Sequence, residues 1–155
     1  MNVSEKLAAL GLVLPAASTP PGAFRGAVRH GNTVTVSGQV PLQDGKVMMV
    51  GSLGADVTIE QGRDCARCAL LNALAQVEAI CGSLDLVEGF VRLGGYVAAT
   101  PDFTQHGKVI DGASELLRDI FGDRAAHARV AMGMASLPRG VPVEIELTVI
   151  LRDNG

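Results

Sequence analysis

Apolar and polar residues alternate most regularly near the C-terminus. In the strand read over Val141-Pro142-Val143-Glu144-Ile145-Glu146-Leu147-Thr148-Val149-Ile150-Leu151, the residues Val143, Ile145, Leu147, Val149 and Leu151 share one face. Glu144, Glu146 and Thr148 share the other, because successive side chains of a strand point to opposite sides. His127–Met134 also reads as a strand, with His127, Arg129, Ala131 and Gly133 on one face and Val130, Met132 and Met134 on the other. Between the two lies a turn, Ser136-Leu137-Pro138-Arg139-Gly140. A tight hairpin centred between Pro138 and Arg139 would bring Arg129 onto the face of Glu144 and Glu146.

Elsewhere the period becomes helical. Ala66, Ala69, Leu70, Ala73, Leu74, Val77 and Ile80 form one stripe. Thr58-Ile59-Glu60-Gln61 reads as its capping box, and Gly82 as its stop after Cys81. So many alanines imply close approach to a sheet. A second long helix is predicted from Thr100-Pro101-Asp102 to Gly122, with Val109, Ala113, Leu116, Leu117 and Ile120 inward. Strands are predicted over 24–29 and 33–38, joined by the hairpin residues His30-Gly31-Asn32. A further short strand is predicted over 47–50 and a long one over 86–97, where Gly89, Gly94 and Gly95 signal a bulge or a close backbone approach. A short helix capped by Ser4 and stopped by Gly11 precedes a proline-rich connector. The pattern therefore predicts an N-terminal segment over 1–22 and one α+β domain over 23–155, a mixed sheet with two long helices on one face.

Composition narrows the function classes. A chain of 155 residues, 48% apolar and 19% charged, suits one folded domain rather than a disordered chain. No apolar run is long enough to cross a bilayer, and Met1–Lys6 lacks the basic start of a secretory signal, so the default location is cytoplasmic. A net charge of -3, 3% aromatics and no Trp leave neither the basic face nor the stacking side chains of a nucleic-acid binder. The three cysteines are an odd set for a disulfide framework. Cys65 and Cys68 have C-x-x-C spacing but fall inside a helix without a second ligand pair, so they read as ordinary buried or half-buried thiols. His30, His106 and His127 show no metal-ligand spacing. His127 is expected to share the Arg129 face, as a proton carrier or as a surface or subunit-interface residue.

For Arg129 two readings stand side by side. It forms a structural ion pair with the glutamates, or it grips an anion through two parallel hydrogen bonds with small neighbours leaving room. The motifs around it favour a ligand. Ala128-Arg129, then Leu137-Pro138 about eight residues on, then Val143-Glu144-Ile145-Glu146 resemble the C-terminal signature of the RidA/YjgF family of enamine/imine deaminases. Gly31-Asn32-Thr33-Val34-Thr35-Val36-Ser37-Gly38-Gln39-Val40-Pro41 resembles its other signature, a strand ending in Ser-Gly-Gln-x-Pro. The resemblance covers roughly residues 20–152. It implies the chorismate-mutase-like fold, a homotrimer around a central barrel, and ligand clefts between subunits. It also implies hydrolysis of amino-acid-derived imines to 2-keto acids and ammonia, with no metal or bound cofactor.

Residue by residue, the resemblance makes Arg129 the substrate-carboxylate anchor and Glu144 the group that acts on water. Ser37 and Gly38 would line the cleft. Three positions depart from the family: Phe24 where it has a tyrosine, Ala131 where it often has a cysteine, and Asp111 where it has an asparagine. A carboxylate at 111 would repel an anionic substrate unless paired or turned away. The alternatives are a non-catalytic or differently specific binder of small carboxylates, motivated by the hydroxyl missing at Phe24, and an endoribonuclease or translation inhibitor, a label attached to parts of the family.

Overall fold

The computed structural model describes residues 1–153. In chain order it contains helix α1 (Val3–Ala9), strands β1 (Ala27–His30), β2 (Thr33–Gln39), β3 (Leu42–Gln43) and β4 (Lys46–Val47), helix α2 (Ile59–Cys81), strand β5 (Val87–Ala98), helix α3 (His106–Phe121), and strands β6 (Ala128–Met134) and β7 (Val143–Leu151). Five strands form one sheet in the order β1-β2-β7-β5-β6, while β3 and β4 make a separate small ribbon. All neighbours in the large sheet are antiparallel except β5 and β6.

Both long helices lie on one sheet face, as the periodicity predicts. From β7, Val143, Ile145, Leu147, Val149 and Leu151 are buried beneath them. The alanine stripe of α2 and Val109, Ala113, Leu116, Leu117 and Ile120 of α3 close the core from above. Thr58 and Gln61 cap α2 reciprocally, and Gly82 ends it at φ +89. The helices cross at very short range. A Cβ on Gly112 would lie 2.7 Å from the carbonyl oxygen of Arg63 and 3.0 Å from its Cα.

The C-terminal hairpin is the main correction. β6 and β7 do not pair, because β5 lies between them. β5, α3 and β6 form a strand–helix–strand crossover, which makes β6 a parallel edge strand. Arg139 and Gly140 do adopt the positive φ values of a turn. That turn, however, carries the chain across β5. Turn chemistry specifies a reversal but not which strand receives the returning chain. Arg129 consequently sits beside Leu93 on the helix-facing side, whereas Glu144 and Glu146 point to the open side.

Smaller corrections concern element ends. Helix α3 begins at His106, not Thr100, because the Thr100 N–H is bound to the Leu53 carbonyl and the chain turns before the helix starts. Helix α1 is capped by Asn2 rather than Ser4, since Asn2 and Glu5 complete a reciprocal box that Ser4, three residues before Leu7, cannot. β1 starts at Ala27, although Gly26 still accepts a bond from the Ser37 N–H. The predicted strand over 47–50 shrinks to β4. Val3 and Leu7 of α1 are buried in the common core, so this helix packs as an integral element. No helix among the described residues is long and apolar enough to cross a membrane.

Candidate functional site

The seven residues singled out by the sequence fall into two groups on opposite sides of the sheet. The first joins β6 to α3. Arg129 donates from Nη1 to Asp111 Oδ1 at 2.7 Å and to Ser114 Oγ at 3.2 Å. Among the described residues, nothing accepts a bond from its Nε or Nη2. Those two nitrogens form one edge of the guanidinium fork, the edge that can take a carboxylate with two parallel hydrogen bonds. Asp111 is thus paired, and it occupies the end of the guanidinium away from that edge. Gly107, in the first turn of α3, lies close by: a Cβ there would be 3.4 Å from Nη2. Ala131 follows two residues later on the same face, packed on the core.

The second group surrounds the end of β2. Ser37 donates from its backbone to Gly26 O and from Oγ to Arg25 O at 2.6 Å, which ties the segment after Phe24 alongside β2. Phe24 itself is 57% exposed. Gly38 is packed on Glu144 so closely that a Cβ would fall 2.3 Å from Oε1, so any larger residue there would push the Glu144 carboxylate out of its place. Glu144 is half-buried and accepts no hydrogen bond among the described residues. Burial, and secondly the charge of Glu146, raise its pKa above the ordinary value. A raised pKa makes its carboxylate a better proton acceptor.

A third cluster on the open face was not anticipated. Glu146 takes its arginine from Arg92, at 2.7 Å, rather than from Arg129, and also accepts a bond from the Tyr96 hydroxyl. Gly94 makes the room: a Cβ there would strike both Glu146 and Tyr96. The glycine pair before Tyr96 is the only trace of this cluster in the sequence. The Tyr96 bond first, and Arg92 after it, hold the Glu146 carboxyl below its ordinary 4.5 against the opposing effect of burial. A lowered folded pKa contributes stability above the unfolded value, lost as pH falls through the folded one. Tyr96→Phe is therefore expected to cost about 1 kcal/mol at pH 7, the modest figure reflecting solvent screening of a partly exposed pair. Urea denaturation should show that cost shrinking as the pH is lowered past 4.5.

Cys65 and Cys68 sit within α2, and burial pushes both thiols up to about 11, away from the reactive thiolate.

A mixed five-stranded sheet with two helices on one face, an edge-strand arginine and an E-I-E strand defines the chorismate-mutase-like α+β class. Residues 4–145 match the family described as "YjgF/chorismate_mutase-like, putative endoribonuclease", and the chain belongs to that family. "Protein TCP17" of Trypanosoma cruzi is 39% identical over 153 residues, 98% of this chain and 96% of that protein. A solved structure of a "putative endoribonuclease" from Shewanella oneidensis is 33% identical with TM-score 0.94, covering 97% of this chain and 100% of that one. The YjgF gene product of E. coli is 26% identical with TM-score 0.63, covering 88% and 94%.

Proposed function

We propose that this protein hydrolyses imines of 2-keto acids, releasing ammonia, in clefts formed between copies of the chain. The observation that carries this reading is that Arg129 is held through Nη1, while its Nε/Nη2 edge meets no acceptor among the described residues. Such a fork binds the substrate carboxylate and fixes the C=N carbon relative to the residues opposite. Glu144 takes a proton from water as the oxygen adds to that carbon and passes it to the imine nitrogen; the hydroxyl proton follows to the nitrogen when the C–N bond breaks. The resulting carbinolamine loses its nitrogen as ammonia, and the C–N bond breaks as C=O forms. The chain's own groups suffice for this, and no redox step is involved.

Within one chain Arg129 and Glu144 lie on opposite faces with β5 between them. The reading therefore requires the Arg129 group of one copy to meet the Phe24, Ser37, Gly38 and Glu144 group of the next. Two features support assembly. Among the described residues no helix covers the open sheet face, where Val28 and Met132 remain 53% and 44% exposed. Moreover, β6 is an edge strand whose outer side pairs with no other strand among the described residues. A homotrimer, the assembly the family resemblance implies, supplies such clefts by repeating one heterologous contact.

The test is imine clearance. Imines generated from several amino acids by an amino-acid oxidase are trapped with semicarbazide in the presence and absence of the protein. Loss of trapped product is expected, and no loss with any amino acid would overturn the reading. Glu144→Gln should lower kcat by about 100-fold or more while leaving KM within a few-fold, the pattern of a group acting on the proton in transit.

Phe24 supports a second reading, a carboxylate binder without turnover, because no hydroxyl is available at that position. Tight binding of pyruvate with no clearance of any imine would favour it. The word endoribonuclease, attached to the S. oneidensis relative, finds little support in a chain of net charge -3 with Glu144 and Glu146 on its open face.

A further inference from the structure

We infer that Ser114 and His127 are positioning residues that aim the guanidinium of Arg129. This rests on the reading of Arg129 as the carboxylate anchor. His127 Nδ1 lies 2.6 Å from the carbonyl oxygen of Ala125. A carbonyl only accepts, so Nδ1 carries the proton. In the neutral ring Nε2 is then bare, and it faces Ser114 Oγ at 2.9 Å. Ser114 has one proton to give and gives it to Nε2. Its remaining lone pairs turn toward Arg129 Nη1, 3.2 Å away. The result is a directional chain: Arg129 N–H to Ser114 O–H to His127 Nε2, anchored by His127 Nδ1–H on the backbone of Ala125.

The chain matters because an arginine on an edge strand has long, mobile torsions. Asp111 alone holds Nη1 at one point, about which the guanidinium can swing. Ser114 supplies a second acceptor on the same nitrogen, and His127 fixes the direction in which the serine oxygen points. With Nη1 held twice, the Nε/Nη2 edge has one orientation toward an incoming carboxylate. The three residues come from different places, α3, the segment leading into β6, and β6 itself. Their convergence therefore also locks the helix to the strand that carries the anchor. His127, two residues before Arg129, and Ser114, one helical turn after Asp111, thereby gain a role that neither strand alternation nor helical periodicity assigns.

The experiment compares Ser114→Ala, His127→Leu, His127→Gln and the double variant Ser114→Ala/His127→Leu with the parent protein and Arg129→Ala. It reads KM and kcat for imine hydrolysis and the Kd of pyruvate. Ser114→Ala and His127→Leu should each raise KM and Kd about three- to tenfold with kcat within about twofold, as befits loss of one hydrogen bond to a charged group. His127→Gln keeps an acceptor near the Nε2 position and should stay within about twofold of the parent. The double variant should be no worse than Ser114→Ala alone, because both changes break one chain. An unchanged Kd in Ser114→Ala, equal damage from His127→Gln and His127→Leu, or multiplying effects in the double variant would overturn the inference.

A second readout does not depend on activity. In the nitrogen-15 spectrum of the guanidinium, Arg129 should show restricted rotation in the parent protein and faster rotation in Ser114→Ala. Unchanged rotation would overturn the inference. Loss of the restriction together with pyruvate binding indifferent to Arg129→Ala would instead overturn the anchor reading and leave the positioning chain standing.

Discussion

Arg129→Ala is expected to lower kcat/KM for imine hydrolysis by at least about 100-fold while leaving the fold intact. A charge-assisted pair of parallel hydrogen bonds to a substrate carboxylate contributes about 3 kcal/mol or more when lost, and misplacement of the reacting carbon adds to that. The protein itself should lose little. The Arg129–Asp111 pair is partly exposed, with side chains 26% and 42% accessible, and such pairs contribute at most about 1 kcal/mol. Removing Arg129 also leaves Asp111 unpaired at the cleft, where it repels an incoming carboxylate. Arg129→Lys should therefore rescue only part of the loss: it restores the charge but not the fork. Steady-state kinetics across these variants, with thermal melts as a control on folding, check the expectation.

The largest effect on stability is expected at Gly112. An added Cβ would meet the backbone of Arg63 at 2.7 to 3.0 Å, and backbone cannot swing aside as a flexible side chain can. Gly112→Ala should therefore force α2 and α3 apart and cost about 1–3 kcal/mol, the range for overpacking, despite alanine's better helix propensity. For a domain of this size that lowers Tm by roughly 2–10 °C. Gly89→Ala is the matched control. A Cβ there would have only the Arg124 carbonyl, 3.9 Å away, as a neighbour, so its Tm should stay close to that of the parent protein. Displacement of α3 would also move Asp111 and Ser114, so Gly112→Ala should weaken pyruvate binding beyond its effect on folding.

How much of this is legible in the sequence depends on the range of the interaction. The Thr58 capping box, the alanine stripe of α2, the Gly82 stop and the alternation of β7 are local patterns, and each appears where the sequence places it. The partner of a strand is not local. The Pro138-Arg139-Gly140 turn announces a reversal whether the chain returns to its neighbour or crosses β5, and the choice lies in the β5–α3–β6 crossover far upstream. That one ambiguity moved Arg129 to the other face of the sheet and gave its expected partner, Glu146, to Arg92. The site shows the same division. Arg129, Glu144, Ser37 and Gly38 stand out through their motifs, whereas Ser114 and Tyr96 carry no motif and are brought in by helix and strand packing. The separation of Arg129 from Glu144 has no sequence signal at all, since it exists only once β5 is inserted between their strands.

The proposal that one copy supplies Arg129 and the next supplies Glu144 is tested most directly by mixing two inactive variants. Arg129→Ala and Glu144→Gln are each purified, mixed in equal amounts, dissociated and reassembled, and assayed for imine clearance. If each cleft draws its arginine from one subunit and its glutamate from its neighbour, random assembly restores both groups in about one cleft in four, so the mixture should recover roughly a quarter of the parent activity. Parent protein that is active and depends on both residues, with a reassembled mixture no better than either variant alone, would contradict the account and place both groups in a cleft belonging to a single chain.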